Sequence, residues 1–199
     1  MMILKKYLYD DIQMPSLNKN FLLQLKDKYS NYNTFIETGT LNGETIFAME
    51  PYFNKLYTVE FSQKYYINTK KRAQDTDRSN INFILGDSSI VFGNLLPTIN
   101  DKAIFFLDGH WSCGDTGKSE KVCPLMEEIT HINKLFKSEA IIIIDDYRLF
   151  GRKDFGADWS DISKEKILDI IKTRTNNVYH LNSDCDNDDR LVIHINAIK

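Results

Sequence analysis

A chain of 199 residues is long enough for one well-buried core and too short for two ordinary domains, so a single domain is expected. Hydrophobic residues at 42% and charged residues at 27% exclude a disordered, collagen-like or disulfide-scaffold chain. Lys plus Arg number 25 against 28 Asp plus Glu, and the net charge of −3 supplies no general basic field for a nucleic-acid backbone.

In chain order, Phe21, Leu22 and Leu25 recur at helical spacing and predict a leading helix from Asn18 to Tyr29, inside an N-terminal extension of about 33 residues. Thr34–Ile36 reads as a short strand, and Gly43–Glu50 as a helix stopped by Pro51. Leu56–Val59 is a second strand and Ser62–Ala73 a second helix. Ile81–Leu85, Ala103–Leu107 and Ala140–Ile144 are three further strands, the last two nearly all apolar, as strands covered on both faces by helices are. Val178–Leu181 and Leu191–Ile195 follow each other with no helix between them. They are joined by a loop carrying Asp184, Asp186, Asp188 and Asp189, and read as an antiparallel hairpin. The pattern is α/β, a parallel sheet ending in that hairpin. Cys113, Cys123 and Cys185 have no disulfide rhythm and point to a reducing compartment. Met1–Asp10 has neither a long apolar run nor a small-residue cleavage site, so a cytoplasmic protein without a membrane span is expected.

In open α/β sheets ligands bind beyond the carboxyl ends of the strands, which makes the residues after each strand the informative ones. After the first comes Glu37-Thr38-Gly39-Thr40-Leu41-Asn42-Gly43-Glu44-Thr45, a glycine-containing turn opening a helix, where backbone N–H groups can approach a ligand closely. The second strand ends at Glu60, beside Phe61, where a carboxylate can accept both hydroxyls of a ribose. Gly86-Asp87-Ser88 follows the third strand, placed to meet an adenine edge. The fourth ends in Asp108-Gly109-His110 and the fifth in Asp145-Asp146-Tyr147.

Taken together, these residues resemble the class I S-adenosylmethionine-dependent methyltransferases over almost the whole chain. Glu37, Gly39 and Gly43 match that family's acidic-x-Gly-x-x-x-Gly loop, and Glu60 matches the acidic end of its second strand. Thr40 and Leu41 stand where the family has small residues. The resemblance implies a single Rossmann-like doubly wound sheet of seven strands in the order 3-2-1-4-5-7-6. It also implies methyl transfer from S-adenosylmethionine to an oxygen, with a cofactor site drawn from Glu37, Gly39, Thr40, Gly43, Thr45, Glu60, Phe61, Asp87, Ser88 and Asp108. Asp108-Gly109-His110 with Asp145-Asp146-Tyr147 looks like the metal-dependent sugar O-methyltransferases of the macrocin type. That likeness implies Asp108, Asp145 and Asp146 as Mg²⁺ ligands, and a catalytic base two residues after the first ligand. Here that position is His110, where the subgroup has Asp. Asp108 and His110 are therefore the catalytic candidates.

The chemistry of such an arrangement is simple. A sugar hydroxyl has a very high pKa and attacks a sulfonium methyl only if its proton is removed or a cation stabilises the developing alkoxide. Three carboxylates would offer hard oxygen ligands to Mg²⁺, and an imidazole of pKa near ~6.5 could take the proton at neutral pH. The expected acceptor is a sugar, a glycan precursor or another small hydroxylated molecule, not a nucleic acid or a membrane. The oligomeric state is open, a homodimer included. The acceptor pocket is expected from the leading helix, the Trp111–Cys123 loop acting as a lid, and the Arg148–Asp161 segment.

Rival readings exist. A non-catalytic, regulatory S-adenosylmethionine-binding domain would use the glycine turn and Glu60 alone. Ser112–Ser119 imitates the phosphate loop of a P-loop NTPase, but Ser112 stands where glycine is required, and Pro124 falls in the first turns of the helix that should follow. Asp184, Asp186 and Asp188 imitate the start of a calcium loop, with Asp189 in place of the turn glycine and Ile195 in place of the bidentate Glu. Cys113, Cys123 and His110 lack zinc-ligand spacing.

Overall fold

A computed structural model describes residues 15–110, 123–153 and 158–198. It contains β1 (Thr34–Thr38), β2 (Lys55–Glu60), β3 (Ile81–Leu85), β4 (Ala103–Leu107), β5 (Ala140–Ile144), β6 (Thr175–Leu181) and β7 (Arg190–Ile195). These form one sheet in the order β3-β2-β1-β4-β5-β7-β6, parallel from β3 to β5, with β7 antiparallel to both β5 and β6. The chain leaves β3 at one edge and re-enters at β4 on the far side of β1. The carboxyl ends of β1 and β4 therefore flank the point where strand order reverses, the place an open α/β sheet offers a ligand.

The strands alternate between two cores. Ile36, Phe105, Ile142 and Ile193 face one buried cluster, while Phe35, Ile104, Ile141, Ile143 and Val192 face the other. Both faces are covered, which is why β4 and β5 are apolar at every position.

Helices α1 (Lys19–Leu22), α2 (Glu44–Met49), α3 (Gln63–Asp75), α4 (Ser88–Leu95), α5 (Leu125–Leu135) and α6 (Lys164–Ile171) connect them. Three were not read from the sequence: α4, α5 and α6. Their signals are ordinary ones. The Asp87 carboxylate caps α4 by accepting from Ser89 N–H at 2.9 Å. Ser163 caps α6, and Leu125, Ile129 and Ile132 bury one face of α5.

The expected leading helix is corrected to a single turn, Lys19–Leu22, followed by a 3₁₀ turn at Tyr29–Asn31. Phe21, Leu22 and Leu25 are buried as their spacing predicts. Further on, the Asp27 carboxylate accepts from the Lys28 N–H at 2.9 Å and from the Tyr32 hydroxyl at 2.8 Å, a local alternative to helical bonding. Pro51 ends α2 in a 3₁₀ turn as expected. No helix among the described residues is long and apolar enough to cross a membrane.

Candidate active site

At the carboxyl end of β1 the chain makes a left-handed turn at Gly39, φ +84°. A Cβ there would lie 2.4 Å from the Asp108 carbonyl oxygen, so only glycine lets the first loop pack backbone to backbone against the loop after β4. Gly43, also left-handed, opens α2, and a Cβ on it would meet Thr69 Cγ2 at 2.5 Å. Glu60 ties this turn to its neighbour. One carboxylate oxygen accepts from Leu41 N–H at 2.8 Å and the other from Ser62 N–H at 2.7 Å. A carboxylate has about four acceptor sites, so lone pairs remain on both oxygens for a diol. Opposite Glu60 in register is Leu85, and Gly86 N–H donates to the Glu60 carbonyl at 2.9 Å. Phe61, Leu85 and Ile90 leave exposed apolar surface on the β2–β3 side of the sheet, on which a flat ring could rest.

Other expected cofactor residues have structural partners. Glu37 is buried, accepts from the Thr58 hydroxyl at 2.8 Å, and is pushed well above the usual carboxylate range by burial. Thr40 and Thr58 share a hydroxyl contact of 2.5 Å. Thr45 turns away, its hydroxyl accepting from Ser16 N–H at 3.0 Å. Asp87 is occupied with capping α4, and the Ser88 hydroxyl donates to Glu128 on α5 at 2.5 Å.

Glu128 was not singled out from the sequence. It is buried among Ser88, Thr38 and Gly109, and burial lifts its carboxyl to about 7. A carboxyl raised from 4.5 in this way holds a proton that the unfolded chain has already released, so stability falls as pH rises from about 4.5 to about 7. Glu128→Gln keeps an oxygen for the Ser88 hydroxyl and is expected to flatten the pH dependence of Tm across that window. Thermal melting between pH 4.5 and 8 checks this, and an unaltered slope would locate the titrating group elsewhere.

Across the switch point, Asp108 and His110 follow β4 while Asp145 and Asp146 follow β5. His110 Nε2 lies 3.3 Å from Asp108 Oδ1 and contacts Asp146 Oδ2. One ligand atom from each of Asp108, His110 and Asp146 falls within a 4.8 Å set; Asp145 and Asp146 join Asp189 in a second. The expected Asp108–Asp145–Asp146 set is not among them. Asp145 is drawn instead to Arg190 on β7, whose Nε is 3.1 Å from Oδ1. Arg148 Nη1 bridges Asp146 Oδ1, at 2.6 Å, and Asp189 Oδ2. Arg148, Arg190 and Asp189 were missed as site residues. Their only signal was proximity to the acidic pair and the hairpin loop, and side-chain pairing across 41 to 45 positions is not visible in a single sequence.

These contacts set the charges. Burial opposes a charge on His110, but the hydrogen bonds and charges of Asp108 and Asp146 outweigh it and lift the imidazole to about 10. The two carboxylates thus favour the protonated ring over the neutral imidazole that a base would need at pH 7. Burial pushes Asp108 up. Asp146, although burial resists, is held below the usual range by His110 and Arg148. Burial and the charge of Asp108 raise Asp145 to about 7 against the pull of Arg190. Trp159 closes this side, its ring centroid 5.1 Å from that of His110 and its buried indole N–H without a partner among the described residues. The expected lid and the NTPase-like stretch, residues 111–122, lie outside the described residues, as does part of the 148–161 segment.

No protein-family model matches the chain, and no curated protein matches it. Solved structures do. A candidate methyltransferase from Streptococcus mutans, in complex with S-adenosylhomocysteine, is 18% identical with a TM-score of 0.53, covering 90% of this chain and 94% of that one. An rRNA methylase from Streptococcus thermophilus is 16% identical with a TM-score of 0.51, covering 85% of this chain and 89% of that one. An O-methyltransferase of tomaymycin synthesis from Streptomyces achromogenes, in complex with S-adenosylmethionine, is 12% identical with a TM-score of 0.54, covering 85% and 75%. The fold is the Rossmann-like methyltransferase fold. Strand order and the terminal hairpin agree with the topology expected from the sequence.

Proposed function

We propose that the protein transfers a methyl group from S-adenosylmethionine to a hydroxyl oxygen of a small molecule or glycan precursor. The observation that carries this reading is the disposition of two halves about one switch point. On one side, Glu60 is fixed by Leu41 and Ser62 beside a glycine turn; on the other stands the Asp108–His110–Asp146 cluster. When bound, S-adenosylmethionine supplies an electrophilic methyl on a sulfonium. Glu60 holds the ribose hydroxyls, and Phe61 offers a face to the adenine. Asp108, made basic by burial, accepts the proton of the acceptor hydroxyl, and protonated His110 stabilises the oxygen as charge develops on it.

The residues do not fit Mg²⁺ as arranged. His110 Nε2 stands between Asp108 and Asp146, Arg190 faces Asp145, and Arg148 faces Asp146. The carboxylates are compensated by the chain's own cations and protons, and no step here is routed through a metal. A methyl-transfer screen over sugars, nucleotide sugars, catechols and RNA, each with Mg²⁺ and with excess EDTA, tests the proposal. Turnover of a hydroxylated small molecule in EDTA is the expected result. Cofactor binding without turnover on any class would leave a binding domain, and turnover only with Mg²⁺ would return a cation to the site.

A further inference from the structure

The loop between β6 and β7 carries the acidic run that imitates a calcium loop, and its last member does something else. Asp189 is 1% exposed, yet it carries a carboxylate immediately before strand β7, whose six residues are all buried and include Arg190 and His194. Its Oδ1 accepts from Arg148 N–H at 2.9 Å; its Oδ2 accepts from Ser183 Oγ at 2.6 Å and from Arg148 Nη1. Its carbonyl accepts from Tyr147 N–H at 2.8 Å. Asp189 thus grips both the backbone and the side chain of the turn that follows Asp146. Arg148 passes the grip on, because the same Nη1 that meets Asp189 lies 2.6 Å from Asp146 Oδ1. The other oxygen of Asp146 meets His110 Nε2.

Two further facts bear on what this chain of contacts is for. Asp146 sits in the left-handed region at φ +58°, a conformation that a non-glycine residue keeps only where its surroundings dictate it. A part-buried carboxylate–guanidinium pair such as this one also adds little net stability, whereas it fixes geometry well. An apolar residue at position 189 would leave the Arg148 N–H and the Ser183 hydroxyl without their acceptor. It could not aim Arg148.

We propose that Asp189 is a positioning residue that holds Arg148 against Asp146 and so sets the orientation of His110, about which the proton transfer turns. The inference rests on the methyl-transfer reading for its consequence, though not for its geometry. Asp189 reaches Asp146 through the shared Arg148 guanidinium, with its own carboxylate also within 4.8 Å of those of Asp145 and Asp146.

Three variants test it, Asp189→Asn, Arg148→Lys and the two combined, with Asp146→Asn as a fourth for reference. Arg148 is part-exposed, so its replacement remains informative if Asp189→Asn does not fold. The first readout is the ring ¹⁵N and ¹H resonances of His110 in the full chain, which need no substrate. Each single variant is expected to shift them in the direction produced by Asp146→Asn, and the double variant no further than either single one. The second readout is turnover on whichever acceptor the screen identifies. A kcat reduced about tenfold or more is expected, with unchanged affinity for S-adenosylhomocysteine and with the double variant no slower than the slower single variant. Unmoved His110 resonances in Arg148→Lys would overturn the proposal. So would effects of the two substitutions that multiply, since they would then act independently. If the wild type methylates nothing, the functional reading fails by itself, and the His110 resonances still decide the positioning role.

Discussion

Replacing His110 with alanine is expected to lower the rate of methyl transfer by about 10²-fold or more while leaving the affinity for S-adenosylhomocysteine within a few-fold. The asymmetry follows from where the side chain lies. His110 contacts Asp108 and Asp146 across the switch point from Glu60, so its loss leaves the turn, the Leu41 N–H bond and the ribose carboxylate intact. What is removed is the cation between two carboxylates. Asp108 and Asp146 then face each other without it, and a hydroxyl oxygen bearing developing charge meets carboxylates instead of an imidazolium. Comparison with Asp108→Asn identifies the proton acceptor. If Asp108 takes the proton, Asp108→Asn is as slow as His110→Ala or slower. If Asp108→Asn retains most of its activity while His110→Ala does not, the imidazole is the base and must lose its proton on substrate binding. A fully active His110→Ala protein would remove this cluster from the chemistry.

The parts of the molecule that were legible in advance share a physical cause. β4 and β5 were bounded to the residue, because an apolar run buried on both faces ends where polarity begins; β3, bounded equally well, is only part-buried and is closed by Gly86. The hairpin was legible from two runs with no helix between them. The leading helix was overread, since three apolar residues at helical spacing also suit one turn followed by an irregular segment that buries Leu25, the arrangement found. In the site, the residues at strand ends were found and their mutual pairing was not. Asp145, read with Asp108 and Asp146 as one set, turns to Arg190 because β7 runs antiparallel beside β5 and brings its first residue to the end of that strand. His110, read as the base, gains two carboxylate neighbours from different strands. Both outcomes depend on contacts between distant positions, which periodicity and motif spacing do not encode.

Replacing Glu60 with alanine is expected to weaken S-adenosylhomocysteine binding by roughly tenfold to a hundredfold, the loss of about 1.5 to 3 kcal/mol that accompanies removal of a charged hydrogen-bond acceptor. Two effects contribute, and calorimetry on two variants separates them. The carboxylate would lose its bonds to the ribose, and the protein would lose the anchor that joins Leu41 N–H to Ser62 N–H. Leu41 is itself left-handed, at φ +47°, and its carbonyl accepts from the Thr69 hydroxyl at 2.7 Å, so the turn has a second support on α3. Thr69→Val removes that support without touching the carboxylate. If the turn alone matters, Thr69→Val should weaken binding nearly as much as Glu60→Ala, with a matching drop in Tm. If the carboxylate binds the ribose directly, Glu60→Ala should stand apart in affinity while both variants lose similar thermal stability. Binding that survives Glu60→Ala undiminished would mean that the acidic end of β2 serves the fold only, and would withdraw the cofactor assignment on which the rest of the site depends.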